Sequence, residues 1–177
     1  MASVLTDQSL RIYKHDQRLV ILSVSGGGLR IGENTDYPKF EHADYANGVY
    51  LFAETVAVTS NVVAPRTLTV EPRLTVSTWS LVGPSTPGSV VNLDASGVAG
   101  SDGTTVSPDG GSGGPSGTIE LYVQDLSDTT AMVFTPLARG GDGGMTHTAG
   151  KKGGDGGKGG SIITGLQPTY LQASALV

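Results

Sequence analysis

Apolar and polar positions alternate with a period of two over much of the chain, and each alternating run is closed by glycine, proline or a short polar cluster. A period of two puts successive side chains on opposite faces of an extended strand, so the pattern predicts strands. The runs 9–13 and 18–25 predict an opening hairpin turned by the charged stretch 14–17, with 29–31 as a further short strand. Residues 32–47 interleave Glu33, Asp36, Glu41 and Asp44 with Tyr37, Phe40 and Tyr45, and read as a loop or capping segment. Helical spacing free of Gly and Pro is confined to a weak pattern over 170–176.

From Gly48 the strand signal becomes dense and a spacing of about 18 residues emerges. Tyr50, Phe52, Val56 and Val58 correspond at that spacing to Leu68, Val70, Leu74 and Val76, across corners at 53–55 and 71–73. Such a step is close to one coil of a parallel β-helix, whose coils stack at about 4.8 Å. Four further apolar, β-branched runs follow at 89–93, 118–123, 132–137 and 161–166.

Between those runs lies an ungapped repeat of about 43 residues carried by glycine. Gly97, Gly100, Gly110, Gly111, Gly113, Gly114 and Gly117 superpose on Gly140, Gly143, Gly153, Gly154, Gly156, Gly157 and Gly160, and Ala95, Thr105 and Ile119 superpose on Ala138, Thr148 and Ile162. Glycine at fixed spacing implies either a positive φ or the close approach of another backbone. The segments GGSGGPSG and GGDGGKGG approach the three-residue period of an extended helix in which glycine occupies the crowded positions. The two glycine loops are therefore expected to lie side by side on one face, and Val at Gly113 or Gly156 is expected to destabilise the chain in both cases.

Composition sharpens this picture. Glycine supplies 27 residues and proline 9, and only 15% of residues are charged. A formal net charge of -5 argues against nucleic acid as partner, because phosphate binding needs clustered Lys and Arg. The sole cationic cluster is Lys151, Lys152 and Lys158, interrupted by Asp155. With no cysteine, disulfides and Cys-based zinc sites are excluded. No apolar run is long enough to span a membrane as a helix. The apolar stretch 19–24 follows Arg11, Lys14, His15, Asp16 and Arg18, and is too short and too charged upstream for a signal peptide. An exported form would have lost its leader or would leave by another route. The apolar close at 173–177 is read as a chain cut short before its next strand.

Candidate chemistry is sparse. His15, His42 and His147 have no metal-ligating neighbour at short spacing and read as loop residues. Glu33, Asp36, Glu41 and Asp44 offer calcium-type oxygen ligands but match no calcium-loop spacing. Asp102, Asp109, Asp142 and Asp155 read as turn formers. The stretch Gly26 to Gly32 lacks the Lys and the following helix of a phosphate loop, and Gly110 to Gly114 matches a nucleophile-elbow pattern only within the glycine repeat. Glu54, Glu71 and Asp94 are the carboxylates that a polysaccharide-cleaving enzyme would need on one face, with Arg66 and Arg73 offering ion pairing instead. No catalytic, cofactor or metal residue is assigned.

The segments VVNLDASGVAG…GGSGGPSGTIEL and TPLARGGDGG…GGDGGKGGSIITG resemble repeat-type parallel β-helix domains of secreted or surface proteins, and their loops resemble the polyglycine helices of phage tail-fibre tip adhesins. The resemblance covers residues 48–166 and implies a scaffold, stalk or adhesin without catalytic residues to carry over. The expected fold is accordingly all-β, a right-handed parallel β-helix over 48–177 with glycine-rich insertions at 97–117 and 140–160, preceded by a β cap and acidic loop over 1–47. The expected function is structural or adhesive at a cell or virion surface, with carbohydrate or protein as ligand. A polysaccharide lyase or hydrolase is the alternative. An apolar edge formed by Ile162, Ile163, Leu166, Leu171, Leu176 and Val177, without a charged gatekeeper, predicts self-association end to end or docking on a partner β edge.

Overall fold

The computed structural model describes residues 10–23, 28–32, 45–66, 68–71, 73–84, 89–125 and 133–165. Its described residues form ten strands and no α-helix. The strands β1 (Leu10–His15) and β2 (Arg18–Ser23) pair antiparallel, with Ile12 opposite Ile21. The turn between them is made by Asp16 and Gln17 at φ 47 and 57, the left-handed conformation that lets a two-residue hairpin follow the strand twist. Asn47 fixes this turn from outside, donating its backbone N–H to Gln17 O at 2.9 Å and its side-chain amide to Asp16 O at 2.8 Å.

β2 then pairs parallel with the first half of β4 (Gly48–Val58), and β3 (Gly28–Ile31) pairs parallel with its second half. β4 is followed in the same sheet by β6 (Arg73–Val82), β8 (Thr118–Asp125) and β10 (Ser161–Gly165), all parallel. A second sheet of three parallel strands contains β5 (Val62–Val63), β7 (Val90–Asp94) and β9 (Val133–Leu137). Leu19, Ile21, Leu29, Ile31, Val49, Leu51, Val56, Val58, Leu74, Val76 and Ile119 from the large sheet share one apolar cluster with Val62, Val91 and Leu93 from the small one.

This arrangement corrects the β-helix expectation. Among the described residues the pairing gives two open sheets, of seven and three strands, with no closed or solenoidal sheet. The supposed 18-residue coil is absent: Tyr50 and Phe52 lie opposite Thr75 and Ser77, not Leu68 and Val70, and Leu68 is 57% exposed outside any strand. Alternation reports the face of a residue but not its partner, so runs with a period of two superpose at many offsets. Here the fully buried Val49 and Leu51 match the fully buried Leu74 and Val76, leaving Tyr50 and Phe52 on the opposite face, half-buried. From β6 to β8 the step grows, with Thr75 opposite Glu120, and from β8 to β10 Ile119 lies opposite Ile162.

One feature within the large sheet escapes a period of two. The ladders skip Glu54, Trp79 and Gln124, and all three side chains are exposed at this shared position while alternation changes phase across it. Thr78, fully buried beside the break, donates its hydroxyl toward Glu54 O and Ser80 O at 2.9 Å, so no buried polar group is left unsatisfied by it.

Because Leu51 is fully buried in the central strand, Leu51→Ala is expected to cost about 2–5 kcal/mol. Val90→Thr, at a side chain 58% exposed, is expected to stay within about 0.5 kcal/mol. Urea unfolding of the two variants checks the contrast.

Candidate functional site

The two glycine-rich segments each connect the small sheet to the large one: residues 95–117 lead from β7 to β8, and residues 138–160 from β9 to β10. Each runs out as one extended arm and returns as another. The first arm (95–103) turns at 104–107, where Thr104 N donates to Ser107 O at 2.6 Å, into the second (108–117). The third (138–147) turns through Gly150, at φ 82, into the fourth (152–160).

The arms are joined by backbone hydrogen bonds at every third residue. Within the first pair, Gly111, Gly114 and Gly117 donate to Ser101, Val98 and Ala95 carbonyls at 2.7–2.8 Å. Within the second, Gly154, Gly157 and Gly160 donate to Gly144, Gly141 and Ala138 at 2.7–3.1 Å. The third arm sits in the groove between the first two. It donates from Gly141, Gly144 and His147 to Gly114, Gly111 and Pro108, and accepts at Arg139, Asp142 and Met145 from Gly97, Gly100 and Gly103. Gly110, Gly113 and Ser116 of the second arm donate to Lys152, Asp155 and Lys158 of the fourth. This three-residue rhythm is that of a polyproline-II-like helix, which satisfies its backbone only through neighbours.

Close approach is what requires glycine here. A Cβ on Gly97 or Gly100 would fall on the carbonyl oxygen of Gly114 or Gly111, on Gly110 or Gly113 on that of Gly144 or Gly141, and on Gly140 or Gly143 on that of Gly157 or Gly154. Gly154, Gly157 and Gly160 meet Gly111, Gly114 and Gly117 in the same way. Gly111, Gly153 and Gly156 differ: a Cβ on Gly111 would first meet the Ser101 hydroxyl at 2.8 Å, and one on Gly153 or Gly156 would have only Gly144 O at 3.6 Å or Gly141 O at 3.8 Å near it.

Side chains reinforce the register across 43 residues. Ser96 Oγ accepts from Arg139 N, Asp102 from Met145 N at 2.8 Å, and Asp109 from Lys152 N at 3.0 Å. Asp102 and Asp109 thus bridge neighbouring arms where the sequence suggests local turn formers. The turns of both hairpins lie at the same end of the array, where Gly103 N donates to Met145 O, and they expose Val106 at 93% and Met145 at 71%.

The carboxylates weighed for catalysis are held by separate cations or stand alone. Asp94 pairs with Arg66 and accepts from Ser96 N, Glu71 pairs with Lys158 at 3.0 Å, and Glu54 is exposed on β4. Arg73 pairs instead with Glu120 at 3.5 Å, and Glu120 also accepts from the Thr75 hydroxyl at 3.0 Å. Among the described residues no group of three or more His, Cys, Asp or Glu side chains could hold a metal ion. His15 contacts Asp16 at 3.0 Å in the exposed hairpin turn, while His147 joins the array through its backbone. His42 and the acidic residues Glu33, Asp36, Glu41 and Asp44 lie outside the described residues. In the stretch compared with a phosphate loop, Gly28–Ile31 is strand β3.

Of the expected assembly edge, Ile162 and Ile163 lie on β10, the last strand of the large sheet, 47% and 43% exposed. Leu166, Leu171, Leu176 and Val177 lie outside the described residues. Among the described residues no helix is long and apolar enough to cross a membrane. Comparison with protein-family models, curated proteins and solved structures yields no match.

The geometry separates Gly113 from Gly156, which sequence treats alike. Gly113→Val, pushing a side chain onto Gly141 O, is expected to cost about 1–3 kcal/mol, as overpacking does. Gly156→Val is expected to leave stability within about 0.5 kcal/mol. Thermal melts, with amide hydrogen exchange over 95–160, read both.

Proposed function

We propose that the protein is a structural and adhesive scaffold that presents the turns of its glycine hairpins to a carbohydrate or protein surface. The observation that carries this reading is that all four arms are locked by backbone contacts, with Ser96, Asp102 and Asp109 side chains adding to them, so that their turns are held in place. A binding loop ordered before contact loses less conformational freedom on binding. Side chains at this end of the array are consequently available for recognition: Thr104, Val106 and Ser107 in one turn, Met145 and His147 where the third arm ends, and Lys151 in the other turn are all exposed. Apolar Val106 and Met145 beside hydroxyl, imidazole and ammonium groups form the mixed surface expected of a contact patch. A location at a cell or virion surface and assembly into a fibre through the β10 edge belong to the same proposal. Cleavage of polysaccharide gains no support from Asp94 and Glu71, whose ion pairs involve different cations.

An array of immobilised polysaccharides and surface proteins tests the reading. The double substitution Val106→Asp and Met145→Asp is expected to abolish capture while leaving the melting temperature unchanged, because neither side chain is packed. Capture unaffected by the double variant, or release of new reducing ends from a captured polysaccharide, would overturn it.

A further inference from the structure

In the glycine array most sets of glycines at three-residue spacing face the carbonyls of a neighbouring arm, and one set of the fourth arm does not. The third arm needs two sets, because Gly141 and Gly144 face the carbonyls of Val98 and Ser101 while Gly140 and Gly143 face those of Gly157 and Gly154. The first arm has one set, Gly97, Gly100 and Gly103, and carries Val98 and Ser101 elsewhere. The fourth arm has two sets but uses one. Gly154, Gly157 and Gly160 pack on the second arm, whereas Gly153 and Gly156 have only distant neighbours and Gly159 has none within 4 Å. All three are exposed, although their counterparts Gly110, Gly113 and Ser116 are half-buried or buried.

The groove beside these glycines, between the third and fourth arms, repeats the groove that the third arm fills. In the filled groove the donors are the N–H groups of Gly97, Gly100 and Gly103, and the acceptors are the carbonyls of Gly114, Gly111 and Pro108. One repeat later the same places hold the N–H groups of Gly140, Gly143 and Thr146 and the carbonyls of Gly157, Gly154 and Lys151. None of these six groups has a backbone partner within the described array. The three donors and three acceptors are spaced at three residues, Gly153, Gly156 and Gly159 leave the fourth-arm wall open, and Arg139 and Met145 stand on the third-arm wall where Ser96 and Asp102 accept from Arg139 N and Met145 N in the filled groove.

We infer that this groove is a docking site for an extended segment of another polypeptide with glycine at every third position, which would lie antiparallel to the fourth arm as a fifth arm of the array. Its occupant donates every third N–H to Gly157, Gly154 and Lys151 and accepts from Gly140, Gly143 and Thr146, as the third arm does in its own groove. The first arm of a second copy does not meet this requirement. At the positions where the docked segment faces the carbonyls of the third arm it carries Val98 and Ser101, and Cβ atoms there would collide as they would on Gly141 and Gly144. The site thus selects for the absence of a side chain at one position in three, the positions that correspond to Gly141 and Gly144.

The probe is a synthetic peptide with the sequence of residues 138–147, ARGGDGGMTH, titrated into the whole protein and followed by backbone amide chemical shifts. Saturable shifts are expected at Gly140, Gly143, Gly153, Gly154, Gly156 and Gly157. Gly156→Val, which has room to fold, is expected to weaken binding by about tenfold or more without lowering the melting temperature. A peptide with Ala in place of both glycines that correspond to Gly141 and Gly144 is expected not to bind. No shifts at millimolar peptide, equal binding by the Ala peptide, or binding indifferent to Gly156→Val would each overturn the inference. Self-association in sedimentation with no peptide-induced shifts would also overturn it, in favour of a second copy at this edge.

Discussion

Backbone packing without Cβ atoms is the constraint on which the rest of this molecule depends. Four extended arms approach so closely that the carbonyl of one occupies the place where a side chain of the next would begin. Each arm can then hydrogen-bond to two or three others at once, because an extended threefold chain turns successive N–H and C=O groups toward different neighbours. An isolated polyglycine segment would lose more conformational entropy on ordering than any other sequence. The array offsets this by satisfying every third backbone group on several sides, and each net bond contributes about 0.5–1.5 kcal/mol. The order is therefore collective: one arm alone has no partner, and the central second and third arms hold the outer two.

The glycine array and the sheets share one register. Ile119 pairs with Ile162 in the large sheet and Val91 with Phe134 in the small one, the same offset that carries Asp102 to Met145 and Asp109 to Lys152 between arms. Each hairpin of arms bridges the two sheets, so strand pairing and arm pairing cannot slip independently. A sheet register error by one residue would also invert the apolar faces of β7 and β8, placing Leu93 and Ile119 outside the core. Apolar burial and glycine spacing therefore enforce the same alignment through different physics.

What the sequence made legible follows from this division. The superposed glycines from Gly97 to Gly160 announce close backbone approach because no other residue type serves it, and a fixed offset in an irregular sequence needs a structural cause. The sheets were less legible. Tyr50 and Phe52 look like core residues beside Val56 and Val58, yet they share a strand whose phase changes at Glu54, and nothing local distinguishes that skipped position from ordinary alternation. The 18-residue step arose from matching Val56 and Val58 to Leu74 and Val76, whose real partners are Val49 and Leu51. Partner choice depends on connection length and shared core, which a period of two does not encode. Asp102 and Asp109 illustrate the same limit: their acceptor role is local in chemistry but its donors lie one full repeat away.

The threefold rhythm also limits how such a surface changes. Inserting one residue into an arm rotates every later position by a third of a turn, moving glycines off the packed faces and side chains onto them. Inserting three restores the faces but lengthens only one partner of an antiparallel pair, so the hairpin must grow in both arms together. The neighbouring hairpin is bound by the parallel contacts between second and fourth arms and between first and third, and would be left short of partners at its tip. Between tip and sheet, then, the arms are fixed in length by their own packing, and in composition wherever a neighbouring carbonyl approaches. The turns at 104–107 and 148–151 are held by their own short contacts, Thr104 N to Ser107 O in one and Lys151 N to Thr148 O in the other, and Gly150 supplies the positive φ of the second. Invariant spacing along the arms and looser constraint at their ends thus come from the same backbone packing, which acts between the arms and stops where they turn.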